Sequence, residues 1–193
     1  MPAGEDRRSQ SLSDLNYVER QAIAMNHTRL GLAAGAMSAL SIMTVAPMAS
    51  ADYDNYAING SFVTTSNGEW AQIQQQYHDV PVVRSVWTFS TTCRTATDCV
   101  GTVTSDLGWT AKAESTNGTW YVQRDIPSFQ TCPDGSPAHG LQTYTFFPVD
   151  STGYVDHDST TFAGKDKTVG DSGNCGESKW YVIEMPFKMV KAA

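Results

Sequence analysis

Thr110-Ala111-Lys112-Ala113-Glu114-Ser115-Thr116-Asn117-Gly118-Thr119-Trp120-Tyr121-Val122-Gln123-Arg124-Asp125-Ile126 is two alternating runs joined by Asn-Gly. Asn and Gly both tolerate positive φ, so the pair closes a two-residue turn whose twist suits antiparallel strands. No short signal for a hairpin is stronger. Past the turn, Trp120, Val122 and Ile126 fall on one face by the strand period of two, and Arg124 falls among them. The segment reads as a β-hairpin with one dry face.

The same texture extends in both directions. Short runs rich in Val, Thr, Trp, Tyr and Phe predict strands over 60–65, 82–91, 100–105, 110–115, 119–126, 141–149, 155–162 and 179–189. Between them stand residues suited to reversals: Ser66-Asn67-Gly68, Asp106-Leu107-Gly108, Asp134-Gly135 and Asp150-Ser151-Thr152-Gly153. Only 69–77, with Gln74-Gln75-Gln76, suggests a helical turn. In the last run Tyr181, Ile183, Met185, Phe187 and Met189 share a face, with Glu184 and Lys188 on the other; Trp87 and Phe89 likewise point together. The fold class is all-β, a single antiparallel domain of about eight strands. An up-and-down barrel is favoured over a two-sheet sandwich, because a sandwich needs long crossings and only 127–140 offers one.

The N-terminus reads as two pieces. Residues 1–24 form a polar leader and 25–51 a secretory signal: Met25, His27 and Arg29, an uncharged run over 30–47, then Ala49-Ser50-Ala51 as the small-residue cleavage pattern. The simplest reading starts translation at Met25. Arg7-Arg8 lies too far from the apolar run to serve as a twin-arginine signal. Cleavage leaves 52–193 as the mature domain, with 16 acidic and 9 basic residues. Such a surface does not attract phosphate backbones or anionic lipid, so no nucleic-acid partner is expected, and membrane contact only through an uncleaved signal.

Cys93, Cys99, Cys132 and Cys175 all follow the cleavage site, and in an exported chain an even number reads as two disulfides, with three pairings open. Cys93 and Cys99 bracket a short polar loop and are natural partners across a hairpin end; Cys132 and Cys175 would then close a long one. On a chain-entropy account the long bridge contributes about 4 kcal/mol and the short one about 2.5 kcal/mol.

The chemistry-bearing patterns are sparse. Gly170-Asp171-Ser172-Gly173 copies the nucleophile segment of trypsin-like proteases, with His78 or His139 as the histidine, but those enzymes need two barrels and this domain has room for one. Asp156-His157-Asp158, read as strand, puts the two carboxylates on one face and the imidazole on the other, so no metal site is expected. No cofactor is implied. Arg124 is costly on an apolar face unless paired or stacked, and Trp120 is the ring expected to receive it. Trp70, Trp87, Trp109, Trp120 and Trp180 are expected mainly in the core.

Ser85-Val86-Trp87-Thr88-Phe89 ahead of Cys93, then Cys99-Val100-Gly101-Thr102-Val103-Thr104-Ser105, Gly118-Thr119-Trp120-Tyr121-Val122 and Cys132-Pro133-Asp134-Gly135, resembles the motif order of uncharacterised small exported proteins of mycobacteria. The resemblance implies a secreted or cell-envelope location and the Cys93–Cys99 pairing, and it carries no catalytic residues. The expected function is that of a non-enzymatic exported barrel of the envelope that binds a small apolar or lipid-like molecule. Trp87, Phe89, Trp120 and Val122 would line its interior, and Arg124 would meet an anionic group. An envelope interaction or structural module with a filled core is the alternative, and a hydrolase on Ser172 a remote third.

Overall fold

The structure, a computed structural model, describes residues 53–193; the leader 1–24 and the signal 25–51 lie outside the described residues. Ten strands follow in chain order: β1 Gly60–Ser66, β2 Gln72–Ile73, β3 Gln76–Tyr77, β4 Val83–Cys93, β5 Cys99–Ser105, β6 Thr110–Thr116, β7 Thr119–Thr131, β8 Pro137–Pro148, β9 Thr161–Gly170 and β10 Tyr181–Lys191. From β4 to β10 each strand pairs antiparallel with the next, and β1 pairs with both β4 and β10. Eight strands thus close into a barrel and leave no free edge in the ring. The β2–β3 hairpin stays outside it, attached to β10 through Ile183↔Ile73 and Glu184↔Gln72. The all-β up-and-down barrel read from the sequence is the fold observed.

The Asn117-Gly118 turn forms as read, with φ of 53° and 76°, and Thr116 pairs with Thr119 beneath it. Inward positions along the strands build one aromatic core from Phe62, Trp87, Phe89, Trp120, Phe146 and Phe187, with Val103, Val122 and Met189 between the rings. Phe146 sits at its centre, 5.5 Å from Phe187, 5.9 Å from Phe162 and 6.3 Å from Phe89 by ring centroids. An eight-stranded barrel is just wide enough to be filled this way. Gly164 stands opposite Phe146 on β9 and lets the two backbones approach closely, since a Cβ there would stand 1.9 Å from the Thr145 carbonyl oxygen.

Both disulfides form, Cys93–Cys99 between paired residues at the end of β4 and the start of β5, and Cys132–Cys175 between the β7–β8 turn and the segment after β9.

Four expectations are corrected. Residues 155–160 are loop apart from an isolated bridge of Val155 to Val149, and the strand is β9 over Thr161–Gly170, which the sequence concealed by reversing the usual polarity. Its inward side is Phe162, Gly164, Asp166, Thr168 and Gly170, while Ala163 and Val169 face out. Residues 69–77 are not helical beyond a 3-10 turn at Gly68–Trp70; the chain reverses at Gln74 and Gln75, with φ of 51° and 66°, because β2 can bond to the stretch of β10 that β1 leaves unpaired. The supposed crossing at 127–140 extends the β7–β8 hairpin past an irregularity between Ile126 and Gln130. Trp70 and Trp180 lie outside the core.

Candidate functional site

Trp87, Phe89, Trp120 and Val122 all point into the barrel and are buried against one another or against their common neighbours. Arg124 is inward too, near one end. Its guanidinium lies 4.8 Å from the centroid of Trp109, not Trp120, because Trp120 sits four residues up the strand while Trp109 enters from the β5–β6 turn at Arg124's own level.

A chain of hydrogen bonds spans this end. Arg124 Nε donates to Gln142 Oε1 at 2.7 Å, Gln142 Nε2 to Asp166 Oδ1 at 2.7 Å, and Ser66 Oγ to Asp166 Oδ2 at 2.7 Å. Burial raises the Asp166 pKa, although the Ser66 and Gln142 hydrogen bonds and the Arg124 charge pull the other way. Burial also pushes the neighbouring Tyr144 phenol well up, helped by the Asp166 charge. The network ties β1, β7, β8 and β9 together where the core turns polar.

The opposite mouth is different. A cleft of about 380 Å³ lies there, with Ile58, Phe62, Trp120 and Phe162 as apolar floor. The rim is polar, with Asn59, His157, Ser159 and Lys191 among its residues. Several segments build it. The chain entering β1 is latched to β4, where Ile58 N donates to Thr91 Oγ1 at 2.9 Å and Thr91 N to Asn59 Oδ1 at 2.8 Å. The loop within the Cys93–Cys99 bridge brings Ala96, the Asn-Gly turn brings Gly118, and the β8–β9 loop brings 157–160. Of the residues expected to meet a ligand, Trp120 lies in this floor.

Of the two histidines considered for Ser172, His139 is engaged elsewhere. His139 Nδ1 stands 3.0 Å from Asp171 Oδ2 and its Nε2 3.3 Å from Asp125 Oδ1, so both ring nitrogens face carboxylates and none is left for the serine. The Asp171 hydrogen bond, with Asp125 adding to it, raises the imidazole pKa. His157 lies in the cleft rim, and among the described residues no group of three or more His, Cys, Asp or Glu side chains is placed to hold a metal.

No family model and no curated protein matches the chain. A solved structure does: a monomer form of the PknI sensor domain of M. tuberculosis, 15% identical, with a TM-score of 0.50, covering 70% of this chain and 88% of that one. At that identity the likeness speaks for the fold alone.

Sequence reasoning missed Asp166, Gln142 and Trp109, and most of the mouth. Asp166 was hidden by the reversed polarity of β9. The mouth residues come from loops and turns, whose meeting no local period announces.

Proposed function

We propose that this chain is an exported, non-enzymatic β-barrel module of the cell envelope that binds a small, partly apolar or lipid-like molecule at the mouth floored by Phe62, Trp120 and Phe162. The cleft carries this reading: an apolar floor under a polar rim, at the end of a barrel whose interior is already filled by its own rings. Its volume of about 380 Å³ falls in the range of small-molecule sites, roughly 300–1,000 Å³, and barrel mouths are a preferred place for them. Recognition thus belongs to the mouth more than to the depths of the barrel. Export is supported by the two disulfides, which persist in oxidising compartments, and by the signal-like segment 25–51. The fold shared with a domain described as a sensor is in keeping with a recognition role.

The packed interior also favours a second reading, an envelope interaction or structural module working through its loops. Native mass spectrometry of protein purified from its own host separates the two. The ligand reading expects a bound mass that Ala96→Trp, which fills the cleft, removes without unfolding the barrel. Wild-type protein with no bound mass and no enhancement of an apolar dye's fluorescence leaves the interaction module.

A further inference from the structure

On the outer wall, away from that mouth, the β2–β3 hairpin and strands β9 and β10 enclose a groove of about 250 Å³. Trp70 and Tyr77 form its walls, 60% and 73% exposed, with ring centroids 6.5 Å apart and planes at 82°. We propose that this groove is a binding site for one neutral sugar ring.

Two large aromatic surfaces left in water gain when apolar contact covers them, so the groove favours an occupant. The walls are also held in place beforehand. Asn67 N donates to the Pro186 carbonyl at 2.8 Å and its side chain caps the turn that carries Trp70, accepting from Glu69 N at 3.2 Å. His78 N donates to the Ala71 carbonyl at 3.0 Å, and Gln74 Nε2 to the Trp180 carbonyl at 2.7 Å. A backbone fixed in this way sets where the two rings project and leaves less ordering for a ligand to impose.

The polar lining selects the chemistry. Lys165 Nζ and Glu184 Oε1 lie 2.7 Å apart within the groove, so an anion would meet Glu184 and a cation would meet Lys165. A neutral molecule escapes both penalties. The ammonium still has donors to spend, the carboxylate still has acceptor sites, and the Gln72 amide offers one of each kind. A matching ligand has hydroxyls that donate and accept around a rim, and a C–H face to lie against the negative face of an aromatic ring. That is the description of a pyranose. The volume falls just below the usual range for drug-sized molecules, about 300 Å³ upward, which suits one ring and not a chain.

The test is nuclear magnetic resonance on the full chain with its disulfides intact, titrated with glucose, mannose, N-acetylglucosamine and, as a neutral non-sugar, decaproline. At least one sugar is expected to shift the Trp70 indole N–H and the Gln72 amide saturably while leaving the buried Trp87 indole still. Trp70→Ala should lower the affinity at least tenfold and Glu184→Gln severalfold, with the unchanged Trp87 and Trp120 indole signals showing that the barrel is intact. If no sugar moves Trp70, or if decaproline alone does, the assignment is overturned. Sugar shifts that survive unchanged in Trp70→Ala also overturn it.

Discussion

Asp166 is 2% exposed, with both carboxylate oxygens hydrogen-bonded and Arg124 one side chain away through Gln142. Because burial raises its pKa in the fold, the native state holds this proton to higher pH than the unfolded chain does. Its contribution to stability is therefore greatest in acid, below the unfolded value near 3.8, and is lost as pH rises through the folded value. Asp166→Asn removes that slope and keeps an acceptor for Gln142. Urea unfolding should show the variant gaining on the parent as pH rises above the unfolded value of 3.8; a constant difference would contradict the buried charge. Asp166→Ala instead strands the Ser66 and Gln142 donors, at about 1–3 kcal/mol for each one left buried and unpaired. Arg124 was legible at this scale because β7 alternates cleanly. Its ring partner and its acid were not, since Trp109 sits beside a turn and Asp166 occupies an inward position that composition assigns to the surface.

Single elements here are joined by clamps outside the ladder. His139 on β8 faces Asp125 on β7 and Asp171 just after β9, and the raised imidazole pKa gives the sign of its pH dependence. The clamp is complete below the unfolded histidine value, near 6.5, and is lost as pH rises through the higher folded value. A proton titration of the His139 ring should have its midpoint above 6.5, and Asp171→Asn should move it down, since the Asp171 hydrogen bond is the larger cause. The Cys132–Cys175 bridge fastens the same corner, and its removal as Cys132→Ser with Cys175→Ser is expected to lower the unfolding free energy by about 2–4 kcal/mol while the circular-dichroism spectrum stays β. Elements were readable from the sequence where turn residues and dry faces agreed, as around Asn117-Gly118. They failed where tertiary context chose: Gln74 and Gln75 take positive φ because β10 offers a partner, and β9 keeps Lys165 and Lys167 on its wet side with Gly164 close against the β8 backbone.

The whole molecule depends on one seam that joins the start of the domain to its end. The β1–β10 pairing runs from Phe62↔Lys191 to Ser66↔Phe187 and converts a curled sheet with two edges into a ring. The number of strands was legible in outline, but closure was inferred from the lack of crossings, because no local signal says that the first and last strands meet. Val63 offers a clean test, since its side chain faces out while its backbone lies between Val86 and Val190. Val63→Ala should change stability by no more than about 0.5 kcal/mol, as for other surface replacements. Val63→Pro withdraws a ladder donor in the middle of a fully paired strand, where proline has no edge to occupy. If closure holds the fold, that variant loses several times more than the alanine variant in urea unfolding. Hydrogen exchange should then accelerate together across β1, β4 and β10, leaving the bridge-fastened β7–β8 hairpin the slower region. Exchange that quickens only at residues beside position 63 would mean that the ring stands without its seam.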